Sequence, residues 1–238
     1  MLARIFCFLI VIPFSFSASA ADDGAWQGNA TFAFSRSAGN TNAMTYSVAL
    51  DEARATETNQ TTIYANVLYG KSQGIVSADQ TKLGGRYDHN LNERVFGFGL
   101  LEFERDRLAD LKLRSGGGGG MGYHVIKNES NKFDVFGGLS RSNAALLSGP
   151  SISQNEMLLS EESLHKLTAN TRLKQKFSSY HNLENLARFR TVFDSSLQVN
   201  LNSTVGLSVS LQHKYSSDTG NGIKHSDAVF LTGLNIKL

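Results

Sequence analysis

Apolar and polar side chains alternate with a period of two almost from one end of this chain to the other, and no other feature limits its folds so tightly. In AWQGNATFAFSR, Trp26, Gly28, Ala30, Phe32 and Phe34 take one phase, while Gln27, Asn29, Thr31, Ala33 and Ser35 take the other. MTYSVALDE repeats it, with Met44, Tyr46, Val48 and Leu50 against Thr45, Ser47 and Ala49. A strand turns successive side chains to opposite faces, so each segment reads as a strand with one greasy and one polar side. Further segments follow at 61–71, 81–89, 94–106, 113–125, 132–142, 156–167, 171–181, 186–199, 204–215 and 226–238. Together they predict roughly twelve strands of about ten residues, the length a tilted strand needs to cross a bilayer.

The connections alternate as well. ATETNQ, NLNE, IKNESN, TAN and NLNS follow the even-numbered segments and are short and rich in turn formers. SQGIVSADQ, RLADLK, NAALLSGPSISQN and SSDTGNGIKH follow odd-numbered ones and are mostly longer. Short turns on one side and longer loops on the other predict an all-β, antiparallel transmembrane β-barrel of the outer-membrane type. Short periplasmic turns and longer extracellular loops are expected. Pro150 falls in the longest predicted loop, where no ladder hydrogen bond is lost.

The first 20 residues read differently. Arg4 precedes the apolar run IFCFLIVIPFSF, and Ala18-Ser19-Ala20 supplies small residues for cleavage before Ala21. Residues 1–20 are thus expected to be a signal peptide and residues 21–238 one outer-membrane barrel domain. The single cysteine, Cys7, leaves with the signal, so disulfides and thiolate metal sites are not expected. Export without disulfides points to a Gram-negative bacterial envelope. A formal net charge of +2 gives no strong pull toward nucleic acid. No later apolar run is long enough for a transmembrane helix.

LRSGGGGGMGYHV at 113–125 keeps strand register through its glycines: Leu113, Met121, Tyr123 and Val125 share one phase, Arg114, Gly122 and His124 the other. The run is therefore expected in the barrel wall, where it leaves a shallow inner slot for bulky side chains and permits sharp curvature. A disordered extracellular loop is the alternative. The segment 94–106 carries apolar residues on both phases, Phe96 and Phe98 against Leu101 and Phe103, which predicts a bulge near Leu100. The eighth and ninth segments alternate least clearly.

GNTN at 39–42, LYGKSQG at 68–74, GGRYDHNLNERVFGFGLLEFERD at 84–106 and GGGMGYHV at 118–125 resemble a family of bacterial salt-induced outer membrane proteins, the domain-of-unknown-function 481 family. The resemblance covers essentially the whole chain after the signal. It implies a signal peptide, an outer-membrane barrel and a link to salt or osmotic stress, with no catalytic motif to carry over. Leu238 departs from the aromatic ending usual in such barrels but keeps the apolar phase of Leu234 and Ile236.

Charge on the lipid face is costly at mid-membrane, so the polar phase is assigned to the lumen. The expected lumen-lining charges are Arg86, Glu102, Glu104, Arg114, Glu162, Arg172, Lys174, Lys176, Arg188, Arg190, Asp194 and Lys214. Arg172, Lys174, Lys176, Arg188 and Arg190 form a basic stripe opposite Glu102 and Glu104. Two readings stay open. A field across a water-filled eyelet would make a narrow passive channel with some anion preference. Alternatively the charges meet across the interior and close it, leaving a structural barrel that supports envelope stability. Lys71, Arg107, Lys112, Arg141 and Lys224 are placed at the outer rim, facing the phosphates of lipopolysaccharide. Trp26, Tyr46, Tyr64, Tyr69, Tyr123, Phe133, Tyr180 and Tyr215 are candidates for aromatic belts.

The expected partners are outer-membrane lipid and lipopolysaccharide, the barrel assembly machinery and small solutes, with no cofactor and no metal. The chain is not expected to be an enzyme. No His-x-Ser spacing puts a serine beside an imidazole on one strand face, and no lysine-serine pair or helix follows the glycines as a nucleotide loop requires. One pair keeps a lipid acyl hydrolase open as the alternative. His213 and Ser226 share the lipid-facing phase and fall nearly opposite each other if the hairpin turns near residue 220. A soluble barrel with its apolar phase turned inward is the structural rival.

Overall fold

The computed structural model of the protein describes residues 24–37, 42–219 and 222–238. The signal peptide expected over 1–20 and most of the GNTN stretch lie outside them. Among the described residues the chain forms twelve antiparallel strands: β1 (Trp26–Ser37), β2 (Ala43–Ala55), β3 (Asn59–Ser72), β4 (Ile75–Asn90), β5 (Val95–Asp106), β6 (Leu111–Lys127), β7 (Asn131–Leu146), β8 (Ile152–Lys166), β9 (Thr171–Asn182), β10 (Phe189–Asn200), β11 (Val205–Ser216) and β12 (Ser226–Lys237). Each strand pairs with its sequence neighbours, and β1 pairs with β12, so the sheet closes into a barrel. Closure from Asn29↔Lys237 to Ala33↔Gly233 leaves no free edge. That is the condition for a sheet to lie in lipid with its backbone groups satisfied.

The apolar phase faces outward. Phe32, Val48, Leu207 and Phe230 are 47%, 43%, 44% and 68% exposed on the outer wall, where a soluble barrel would have buried them. The polar phase faces the interior: Thr31, Ala49 and Asn66 stand at one level of β1, β2 and β3.

Three of the five turns that follow even strands share one local device. Asn92 Oδ1 accepts from the backbone N–H of Arg94 and Val95 at 2.9 and 2.8 Å, Asn128 from Ser130 and Asn131 at 3.0 and 2.8 Å, and Asn202 from Thr204 and Val205 at 2.9 and 2.7 Å. The asparagine side chain replaces a missing ladder partner, which is why NLNE, NES and NLNS recur at this rim.

At the opposite rim the connections are mostly longer, as expected, but their extent is corrected: the strands themselves run on past the length a bilayer needs and shorten the loops. SQGIVSADQ contributes only Gln73 and Gly74 to the β3–β4 turn, and Pro150 lies in a connection of residues 147–151. Gln73 (φ 52°) and Gly74 (φ 80°) both have positive φ, the backbone that lets a two-residue turn match the strand twist. The second correction concerns β5. No bulge forms at Leu100. Pairing with β4 is unbroken from Asn90↔Phe96 to Gln80↔Asp106, and the irregularity on the β6 side lies between Glu104 and Asp106. Phe96, Phe98 and Leu100 instead point into the barrel, where they have company.

Candidate functional site

The interior of β4–β9 is filled by two kinds of side chain. Phe96, Phe98, Phe136, Leu158 and Tyr180 form a buried cluster, with Leu100 packed against it. The Phe98 and Phe136 rings meet edge-on with centroids 5.1 Å apart, a favoured aromatic geometry. The glycine run makes room for this. Gly116, Gly118, Gly120 and Gly122 face inward opposite Glu102, Leu100, Phe98 and Phe96. At Gly122 a Cβ would stand 2.1 Å from the Phe96 ring, so the ring occupies the place a side chain would take. At Gly120 a Cβ would meet the Gly137 carbonyl oxygen at 2.1 Å, a mark of how sharply the wall bends there.

Charged groups complete the filling. Near the outer mouth, Lys214 on β11 reaches Glu104 at 2.7 Å and Asp106 at 3.6 Å on β5, and Arg114 reaches Glu104 at 3.1 Å. Glu102 holds Lys82 at 3.0 Å and accepts from Tyr64 and, at 3.3 Å, from Tyr180. Arg190 bonds Glu156 through Nε and Nη2 at 3.2 and 3.4 Å and lies over the Tyr180 ring at 3.5 Å. Nearer the mouth ringed by the turns after the even strands, Arg86 binds Asp88 at 2.9 Å and Glu162 at 2.8 Å, and Lys176 shares Glu162 at 2.7 Å. Lys174 reaches Asp51 at 3.5 Å. Several of these contacts join strands that are not neighbours: β11 with β5, β9 with β5, β4 with β8 and β9 with β2. They therefore cross the lumen.

The rest of the wall is lined differently. On β10–β12 and β1–β3 the inward residues are mostly small and polar: Thr31, Ser47, Asn66, Ser196, Ser208 and Ser210 among them. Thr31, Asn66, Ser196 and Ser210 keep part of their surface open. The lumen is thus asymmetric, plugged along one arc and lined by short hydroxyl and amide side chains along the other.

Arg86, Glu102, Glu104, Arg114, Glu162, Lys174, Lys176, Arg190 and Lys214 all join this network. Asp194 also faces inward and accepts from Gln212 at 2.7 Å. Arg172 shares the inward phase at the N-terminal end of β9, level with Gln198. Arg188 is a correction: β10 begins at Phe189, so Arg188 stands outside the strand, exposed at the outer mouth 3.3 Å from Asp218. Tyr64 and Tyr180 leave the aromatic belts for the same reason that Lys82, Asp51, Asp88, Asp106 and Glu156 join the interior. They share a strand phase with polar or charged neighbours, as Tyr64 does with Thr62 and Asn66. That phase was the available signal for all of them.

On the outer face, His213 Nε2 and Ser226 Oγ lie 2.8 Å apart near the outer rim. The ladder pairs Tyr215 with Ser226 and His213 with Ala228, so the contact is diagonal. No third side chain hydrogen-bonds this imidazole among the described residues. At the same rim Arg105 and Arg107 flank Asp79 at 3.6 and 3.7 Å, and Lys71 lies over Tyr69.

In sequence, residues 30–238 match a family described as a protein of unknown function, DUF481. A search of the curated proteins gives no match. Among solved structures, the NanC porin is 12% identical with a TM-score of 0.53, over 90% of this chain and 100% of that one. An outer membrane channel from Pseudomonas putida F1 is 11% identical with a TM-score of 0.48, over 92% and 96%. The translocator domain of the autotransporter NalP from Neisseria meningitidis is 12% identical with a TM-score of 0.45, over 90% and 87%. At such identity the likeness to the NanC porin is one of fold.

Proposed function

The chain belongs to the DUF481 family, and on that premise we propose that it is an outer-membrane barrel giving small hydrophilic solutes a narrow, passive path. The observation that carries this reading is the asymmetric lumen. Side chains fill the arc of β4–β9, while the arc of β10–β12 and β1–β3 keeps partly open hydroxyl and amide groups at Thr31, Asn66, Ser196 and Ser210, with Ser47 and Ser208 buried between them. Lys214, Glu104 and Asp106 narrow the path near the outer mouth, and Lys174 with Asp51 narrows it below. A solute passing them meets both signs of charge within one constriction, which sets a size limit and orients dipolar molecules. The outer rim cations, Lys71, Arg107, Lys112, Arg141 and Lys224, suit lipopolysaccharide phosphates. The barrel assembly machinery is the implied route of insertion.

The cross-lumen ion pairs favour a second reading, a barrel closed to solutes whose role is envelope stability under salt or osmotic stress. Conductance of the purified barrel in planar bilayers separates the two. Small, regular current steps support the path. A silent membrane, with the protein folded and inserted, overturns it and leaves the closed barrel.

A further inference from the structure

The lipid-facing wall carries a depression at its periplasmic half. Gly137 has no side chain, and around it Met121, Tyr123, Val135, Leu159 and Phe177 border a shallow, open groove of about 630 Å³. One residue in this groove does not belong on a lipid-facing surface. Glu161 takes the outward phase of β8, between Val135 on β7 and Phe177 on β9. It is exposed, and among the described residues it makes no ion pair. A carboxylate facing hydrocarbon is costly, and the cost falls toward the interface. Glu161 lies toward the periplasmic end of its strand, within reach of the headgroup region. At the same end, Arg94 of the β4–β5 turn is exposed and donates to Tyr123 Oη at 3.0 Å. An anion thus lines the apolar groove and a cation is bonded to Tyr123 at its edge, both on the periplasmic side.

We propose that this groove binds one zwitterionic glycerophospholipid of the periplasmic leaflet whose headgroup carries a primary ammonium. The ammonium pairs with Glu161, the phosphate with the Arg94 guanidinium beside Tyr123, and an acyl chain lies over Gly137 between Met121 and Leu159. Charge complementarity selects this occupant. An anionic headgroup meets repulsion at Glu161, and a quaternary ammonium has no N–H to donate to it. The site rests on the outer-membrane reading of the barrel and is independent of whether the lumen conducts.

The test uses the whole barrel, folded into vesicles of equal parts phosphatidylethanolamine, phosphatidylcholine and phosphatidylglycerol, then released in mild detergent for native mass spectrometry. The wild type retains one phosphatidylethanolamine, about tenfold over either competitor. Glu161→Gln, nearly isosteric and on the outer wall, abolishes that preference. Arg94→Gln lowers total retention several-fold and leaves the amine preference. An unchanged preference in Glu161→Gln overturns the proposal, as does a wild type that carries no lipid and runs as a dimer through this face. Heat-modifiable migration of each preparation reports the fold separately. Its absence in the wild type overturns the barrel reading, and the site with it.

Discussion

The ring of Phe96 lies on Gly122 of the neighbouring strand, so close that a methyl group there would stand 2.1 Å from Cζ. Phe96 is itself only 1% exposed and stacks on His124 with centroids 4.7 Å apart, so it has no free direction to move. The slot and the ring are complementary, and the glycine run is the mould of the aromatic cluster.

This makes the glycines unequal. Gly116→Ala adds a Cβ whose nearest neighbours are at 3.7 and 3.8 Å, ordinary contact, and should change stability by less than about 0.5 kcal/mol. Gly120→Ala drives a Cβ to 2.1 Å from a backbone oxygen, which no rotamer relieves. Overpacking of this kind costs about 2–3 kcal/mol. Urea unfolding of the two variants in one detergent, followed by tryptophan fluorescence or band shift, measures the difference. Equal midpoints would mean that the wall is not tightly bent at Gly120.

The β3–β4 turn offers a cleaner backbone test. Gln73 holds φ near 52°, a region that asparagine and glycine enter more easily and β-branched residues enter poorly. Gln73→Asn should leave the fold unchanged or slightly stabilised. Gln73→Val should cost about 1–2 kcal/mol. Both are read from the same unfolding curves, and a neutral Gln73→Val would contradict the turn geometry.

Lys214 and Arg188 separate the lumen from the mouth. Lys214 is the cation that faces both Glu104 and Asp106 across the interior, whereas Arg188 lies exposed beyond β10. If the barrel conducts, Lys214→Gln leaves the carboxylates in excess at the constriction. The reversal potential in a potassium chloride gradient should then move toward cations, and the open current should rise. Arg188→Gln, screened by solvent, should change either quantity little. Similar shifts from both would place the selective constriction at the mouth.

How much of this could be read from the chain alone follows from what period two does and does not encode. Phase assigns each residue to one wall, so the outward position of Phe32 and Val48 and the inward position of Arg86 and Glu102 were legible. Phase does not say where a strand stops, and Arg188 was misplaced because the strand begins one residue later. Phase was also overruled by hydropathy at Phe96 and Phe98, which suggested a bulge near Leu100. They point inward because Gly120 and Gly122 vacate the space opposite, a pairing between distant segments that only the register of β5 on β6 shows. The partners of each charge, such as Lys214 with Glu104 across the lumen, depend on barrel closure and have no local signature.

His213 and Ser226 were expected to approach each other, and their hydrogen bond is 2.8 Å. A hydrolytic dyad needs the imidazole oriented by a third group and donors for the oxyanion. Among the described residues only the first contact is present. Purified barrel incubated with phospholipid vesicles, with and without calcium, should release no fatty acid above the Ser226→Ala background. Release that Ser226→Ala abolishes would make the protein a lipid acyl hydrolase.

The lower interior network supports the most demanding prediction. Arg86 is nearly buried and is held by Asp88 and Glu162 while its guanidinium lies 4.7 Å from the Phe136 ring centroid. Arg86→Met keeps most of the packing volume but strands Asp88 and leaves Glu162 with Lys176 alone, and breaking a buried pair from one side costs about 3–5 kcal/mol. Glu162→Met frees Lys176 as well as Arg86, so it should cost a comparable amount. The double variant leaves Asp88 and Lys176 as the remaining charges, with net neutrality between them. It should therefore be more stable than the sum of the two single losses by about 1–3 kcal/mol. A strictly additive cycle would show that water, and not each other, solvates these groups, and would point to a wetter lower lumen than the ion-pair distances describe.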